Sequence, residues 1–200
     1  MKKIGTIAAI LLAVLMIFGC ASTMKPVDRE AGVEYKLTIL HTNDHHGATL
    51  SKDGNYGLAE RATFIKSVRK TNENVLLLDA GDINTGSALS NMFYAEPDIL
   101  AYNAMGYDAV TFGNHEFDNG TKELARRLKN LKAKVVCANY DFEDSPLEDV
   151  VHPYVIIKKA GMKIGVIGLL TDIRRVVDKK IAAEFSYIEP ADVVNRYAEY

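Results

Sequence analysis

Val75-Leu76-Leu77-Leu78-Asp79-Ala80-Gly81-Asp82 is a short apolar run that ends on an acid and breaks at once into a glycine-containing loop. A run of this length, closed by turn-forming residues, reads as a β-strand. The arrangement recurs on both sides of it. Upstream, the strand-like Lys36 to His41 passes into Thr42-Asn43-Asp44-His45-His46-Gly47. Downstream, Ala109 to Phe112 passes into Gly113-Asn114-His115-Glu116-Phe117-Asp118. Leu58, Ala62, Ile65 and Val68 recur at helical spacing between the first two strands, as do Leu124, Leu128 and Leu131 before a fourth run, Lys134 to Ala138. Two further runs, Tyr154 to Lys158 and Lys163 to Leu169, flank Ala160-Gly161 and predict a hairpin. Alternating strands and amphipathic helices with one hairpin predict an α/β domain with a mixed sheet.

The chain has 200 residues, 48% of them apolar and 25% charged, which excludes wholesale disorder, a fibre and a multispanning membrane protein. Its apolar residues crowd at the start. Met1 to Lys3 is basic, Ile4 to Phe18 is uncharged and apolar, and Gly19-Cys20 follows. Such a stretch is shorter than the roughly 20 residues that cross a bilayer, and it has the order of a secretory signal. Residues 1–19 are therefore expected to be a signal peptide. Ile17-Phe18-Gly19-Cys20 is similar to a bacterial lipobox, so Cys20 is expected to carry lipid, with residues 20–34 as a tether and residues 35–200 as the folded domain. That places the protein outside the cytoplasm, periplasmic or at the cell surface, anchored to a membrane. Lipidation of Cys20 leaves Cys137 alone in Val135-Val136-Cys137-Ala138, read as a small buried hydrophobe. With Lys2 and Lys3 removed no basic block remains, which excludes nucleic acid as a partner.

Ligands of open α/β sheets bind beyond the carboxyl ends of the strands, so the three polar loops are expected to share one rim. Asp44-x-His46 alone is weak, expected about 0.35 times by chance from this composition, whereas Gly113-Asn114-His115-Glu116 is expected on the order of a thousandth of a time. In an extended loop Asp44 and His46 face the same way and offer oxygen and nitrogen to one cation. Asp82 has two oxygens with which to bridge two ions, and Asn114 offers a neutral oxygen to a second. His115 then points to the other side of the backbone as a general acid or electrostatic partner. Asp118 is read as orienting its ring or, equally simply, as part of a helix N-cap. His41 is read as structural, His45 as pointing outward, Asp79 as a buried support and His152 as a turn residue. No serine elbow, P-loop or dinucleotide fingerprint is present.

Thr38 to Gly47, Gly81-Asp82-Ile83-Asn84-Thr85-Gly86 and Gly113 to Asn119 together resemble the catalytic half of bacterial 5'-nucleotidases, within the calcineurin-like metallophosphoesterases. Ala95-Glu96-Pro97-Asp98 and Met105-Gly106-Tyr107-Asp108-Ala109 are similar too. The resemblance runs from Leu37 to Asn119 and more loosely to about Leu170. It implies an αββα sandwich with a two-metal centre (Zn, Mn, Co or Mg). Asp44, His46 and Asp82 would bind the first ion, with Asp82 bridging and Asn114 on the second. His115, paired with Asp118, would face the scissile phosphate. It further implies in-line attack by metal-activated hydroxide on a nucleotide substrate, a nucleoside 5'-monophosphate first. A 2',3'-cyclic nucleotide or nucleotide-sugar hydrolase shares the same first half. Family members carry two further His ligands, a later Gly-His-x-Gln element and a nucleoside-binding domain, none of which follows His152. The fold is therefore expected to be present only in its N-terminal part, with a non-catalytic surface lipoprotein as the alternative.

Overall fold

Five parallel strands supply the frame on which the three loops hang. In the computed structural model, which describes residues 32–52, 54 and 56–198, the chain runs in order through fifteen strands and α-helices. These are β1 (Thr38–Thr42), α1 (Leu58–Thr71), β2 (Val75–Asp79), α2 (Ala88–Met92), α3 (Glu96–Met105), β3 (Ala109–Val110), α4 (Thr121–Leu128), β4 (Lys134–Val136), β5 (Tyr140–Asp141), β6 (Val151–His152), β7 (Tyr154–Lys159), β8 (Met162–Ile167), α5 (Lys179–Ala182), β9 (Ser186–Tyr187) and α6 (Pro190–Ala198). The signal-peptide, Cys20 and most of the tether readings lie outside the described residues. Among the described residues no helix is long and apolar enough to cross a membrane.

The main sheet has the order β1-β2-β3-β4-β6 and every pairing in it is parallel. β2 lies inside it, with Val75, Leu76, Leu77 and Asp79 buried, which accounts for its unbroken apolar run. Thr42 pairs with Asp79 and Asp79 with Val110, so the first three strands end level and release their loops along one rim. β1 is the edge strand and leaves Ile39 exposed.

The predicted hairpin forms at Ala160-Gly161, and the α/β class is as expected. Its antiparallel pair β7–β8 makes a sheet of its own, however, and does not extend the parallel one; β5 and β9 form a second antiparallel pair. After β4 the Cys137 N–H donates to the His152 carbonyl of β6 and the Ala138 N–H to the carbonyl of Gly168, just past β8, which ties the hairpin to the end of β4 by a single backbone bond rather than a ladder. Lys159 then fastens the hairpin to the start of β2. Its ammonium pairs with Asp108 at 2.6 Å and donates to the Val75 carbonyl. His152 sits in β6, exposed, rather than in a turn. Cys137 is buried as expected, and burial pushes its thiol up to about 12.

Beneath the rim the core is built from Leu77, Tyr102, Phe112, Phe117, Leu124 and Leu147, with the Phe112 ring edge-on to Phe117 at 5.7 Å and to Phe142 at 6.0 Å. α4 turns Leu124, Ala125 and Leu128 inward, the face that its leucine spacing predicts. α3 was not expected from periodicity, because it buries Ile99, Tyr102 and Met105 in a segment with little polar contrast between its faces. Its boundaries are nonetheless chemical, Pro97 in the first turn and Gly106 at the C-cap with φ 70°.

Candidate metal centre

Beyond β1 and β2 the two chains stay side by side as loops. The N–H groups of Asp44, His46 and Gly47 donate to the carbonyls of Gly81, Asp82 and Ile83, each at 2.9 Å. Asp44, His46 and Asp82 all have positive φ, at 51°, 48° and 54°, and Thr85 follows at 65°. Non-glycine residues seldom adopt this conformation, and such strain collects at functional sites. Its result here is convergence: one ligand atom each from Asp44, His46 and Asp82 lies within 4.8 Å of the others. His46 Nε2 stands 3.5 Å from Asp44 Oδ1. The pair meets because both residues are left-handed, not because the loop is extended.

The third loop closes on the second through two glycines. A Cβ at Gly81, whose φ is 94°, would overlap the backbone of Phe112 and Gly113, and a Cβ at Gly113 would overlap the Asp82 carboxylate. The N–H of His115 donates to Asp82 Oδ1 at 2.9 Å. Asn114 starts the 3-10 turn His115–Phe117, so it lies one residue from that contact. Asp118 lies within hydrogen-bond reach of the ring: His115 Nδ1 and Asp118 Oδ2 are 2.8 Å apart, and the carboxylate holds the imidazole above its ordinary pKa. Asp118 does not cap α4, whose N-cap is Gly120. It also accepts the Thr85 hydroxyl at 2.6 Å, a partner that the sequence did not suggest. The His115 ring is edge-on to His46 with centroids 5.0 Å apart, so it stands beside the Asp–His–Asp cluster and not across the backbone from it.

His45 corrects the sequence reading. It is buried, with Nε2 3.0 Å from Asp98 Oδ1 and Nδ1 3.1 Å from an Arg61 nitrogen. A guanidinium only donates, so Nδ1 accepts and Nε2 carries the hydrogen given to Asp98. Since its neighbours are left-handed, alternation along the loop is reversed and His45 becomes the residue that pins the loop to α3. Asp79 is the buried support expected of it, accepting from Thr42 Oγ1 at 2.5 Å, Tyr102 OH at 2.8 Å and the Gly81 N–H at 2.9 Å. Burial raises its pKa against those three bonds. His41 is exposed on the edge strand.

The donor set fits a divalent cation. Two carboxylates and an imidazole offer hard and borderline donors, already convergent, on backbone held by neighbouring loops. These features define an α/β domain that carries a candidate metal centre on the carboxyl rim of a parallel sheet.

The model of the calcineurin-like phosphoesterase family matches residues 37–193, and the chain belongs to that family. It is 39% identical over 187 residues to Protein UshA of Escherichia coli (strain K12), covering 90% of this chain and 34% of the relative. With the 5'-nucleotidase of Vibrio cholerae it shares 43% over 159 residues, 77% of this chain and 28% of the relative. Among solved structures, the 5'-nucleotidase precursor of Thermus thermophilus is 31% identical with a TM-score of 0.74, covering 82% of this chain and 34% of that one. The chain thus spans about a third of the length of these relatives.

Proposed function

We propose that residues 35–200 supply one half of a two-metal centre in a phosphohydrolase that acts on nucleoside 5'-monophosphates or related nucleotides outside the cytoplasm. Asp44, His46 and Asp82 would hold the first cation, and Asp82 and Asn114 would serve the second. The observation that carries this reading is the convergence of three ligand atoms within 4.8 Å on three residues of positive φ. Kinship with proteins named 5'-nucleotidases supports the substrate class. A bound divalent pair supplies Lewis acidity and lowers the pKa of water, the usual source of a nucleophile for phosphate esters.

The chain's own part is positioning and charge. With Nδ1 turned to Asp118, the His115 ring presents Nε2 to solvent beside His46, where it steadies charge on the phosphoryl oxygens or protonates the leaving oxygen. Thr85 donates to the same Asp118 oxygen, Oδ2, that faces His115, and so limits rotation of the pair. The test is chromatographic product analysis with the full-length protein in Mn2+, with AMP (adenosine and phosphate), a 2',3'-cyclic nucleotide (a nucleoside monophosphate) and UDP-glucose (UMP and glucose 1-phosphate) side by side. AMP is expected to be the best substrate, and His115→Ala to lower turnover by about 10²-fold or more. Unchanged turnover in that variant would remove His115 from the reaction.

A further inference from the structure

Glu116 belongs to the Gly-Asn-His-Glu motif, yet neither the metal reading nor the His115–Asp118 pair uses it. Its side chain is buried, and both carboxylate oxygens are saturated by backbone. Oε2 accepts the N–H of Asp82 at 2.9 Å and of Gly113 at 2.6 Å. Oε1 accepts that of Ile83 at 2.8 Å and of Asn84 at 3.3 Å. A carboxylate has about four lone-pair sites, and four donors occupy them, so Glu116 is not a ligand.

The donors come from two loops some thirty residues apart in sequence, those of Asp82 and of Asn114. The contact is reciprocal, because Asp82 Oδ1 in turn accepts the His115 N–H. Each loop's acid therefore grips the other loop's backbone. Buried Arg127 braces the same junction, donating to the Glu116 carbonyl at 2.9 Å and to Asn84 Oδ1 at 2.5 Å, while Asn84 Nδ2 donates to the His115 carbonyl at 3.0 Å. Its positive charge offsets that of Glu116 without touching the carboxylate.

We propose that Glu116 is a positioning residue for the metal centre, a clamp that sets the Asp82 loop against the Asn114 loop and so fixes the distance between the ligands they carry. The inference rests on the reading of Asp44, His46, Asp82 and Asn114 as ligands. A neutral amide cannot replace the carboxylate, since in either rotamer its nitrogen faces two N–H donors. Aspartate keeps the charge but falls one methylene short.

The experiment is calorimetric Mn2+ titration of the wild type, Glu116→Gln, Glu116→Asp and Leu124→Ala, with amide hydrogen exchange on the metal-free proteins. Leu124 is buried on α4 outside both loops and controls for general destabilisation. Glu116→Gln is expected to weaken Mn2+ binding at least tenfold and to speed exchange at Asp82, Ile83 and Gly113 at least tenfold, with Leu76 and Leu77 of β2 unaffected. Glu116→Asp should recover part of the affinity, and it carries the test if the glutamine variant does not fold. Wild-type affinity in a folded Glu116 variant, or an equal loss in Leu124→Ala, overturns the proposal. A wild type that takes up no Mn2+ overturns the ligand reading and the positioning role with it. Faster exchange in Glu116→Gln would then show a clamp with no metal to position.

Discussion

Tyr102→Phe removes a single hydroxyl from beneath the metal loops. Tyr102 is fully buried on α3, its ring stacked on Tyr107 at 4.2 Å, and phenylalanine keeps that stacking. What is lost is the 2.8 Å bond from the phenol to Asp79 Oδ2, together with the longer 3.4 Å donation from Arg61 to the phenol oxygen. Burial holds the phenol well above its usual range, so it remains a donor at any working pH. A hydrogen bond to a charged group contributes about 1.5–3 kcal/mol and a neutral one about 0.5–1.5 kcal/mol. At about 2–4 °C per kcal/mol for a domain of this size, the charged value lowers Tm by about 3–12 °C. The pH dependence has a definite sign. Burial raises Asp79 above its unfolded pKa, so its stabilising contribution is complete at low pH and is lost as pH rises through the folded value. Removing a donor to the ionised form raises that pKa further, so the variant's deficit grows with pH across the same window. Urea unfolding followed by circular dichroism at pH 5 and pH 8 measures it. A deficit below about 0.5 kcal/mol at pH 8, or one that shrinks as pH rises, would refute the assignment of Tyr102 as a support for Asp79.

Two further substitutions probe the packing and the orienting contact. Leu147→Ala empties a fully buried site away from the loops and should cost about 2–5 kcal/mol in urea unfolding while leaving Mn2+ affinity intact. Asp118→Asn keeps the shape but not the charge that holds His115; turnover should fall about 10–100-fold with KM nearly constant, and a change in KM alone would argue against an orienting role.

Much of the fold was legible because its signals are local. The Val75–Asp79 strand announced itself by composition, and the amphipathic stripe of α4 by spacing. The His115–Asp118 contact is also local, since the two residues stand three apart across one tight turn. Errors arose where the backbone left its common conformations or where the partner lay far off. Alternation placed Asp44 and His46 on one side and His45 on the other as if the loop were extended. Left-handed φ at Asp44 and His46 brings the outer pair together by another route and buries His45 against Asp98, 53 residues on. Glu116 was invisible as a clamp for a different reason: its four partners are backbone N–H groups, which every residue but proline offers. The tie of Gly168, just past the hairpin, to Ala138 at the end of β4 is likewise a backbone contact between distant segments.

The central claim is that Asp44, His46 and Asp82 form one cation site. Calorimetric titration of Mn2+ into the metal-free chain, wild type beside Asp82→Ala, tests it most directly. The account predicts saturable binding in the wild type and its loss in Asp82→Ala, with the far-ultraviolet circular dichroism of the two proteins unchanged. Saturable binding that survives unaltered in the variant would contradict it.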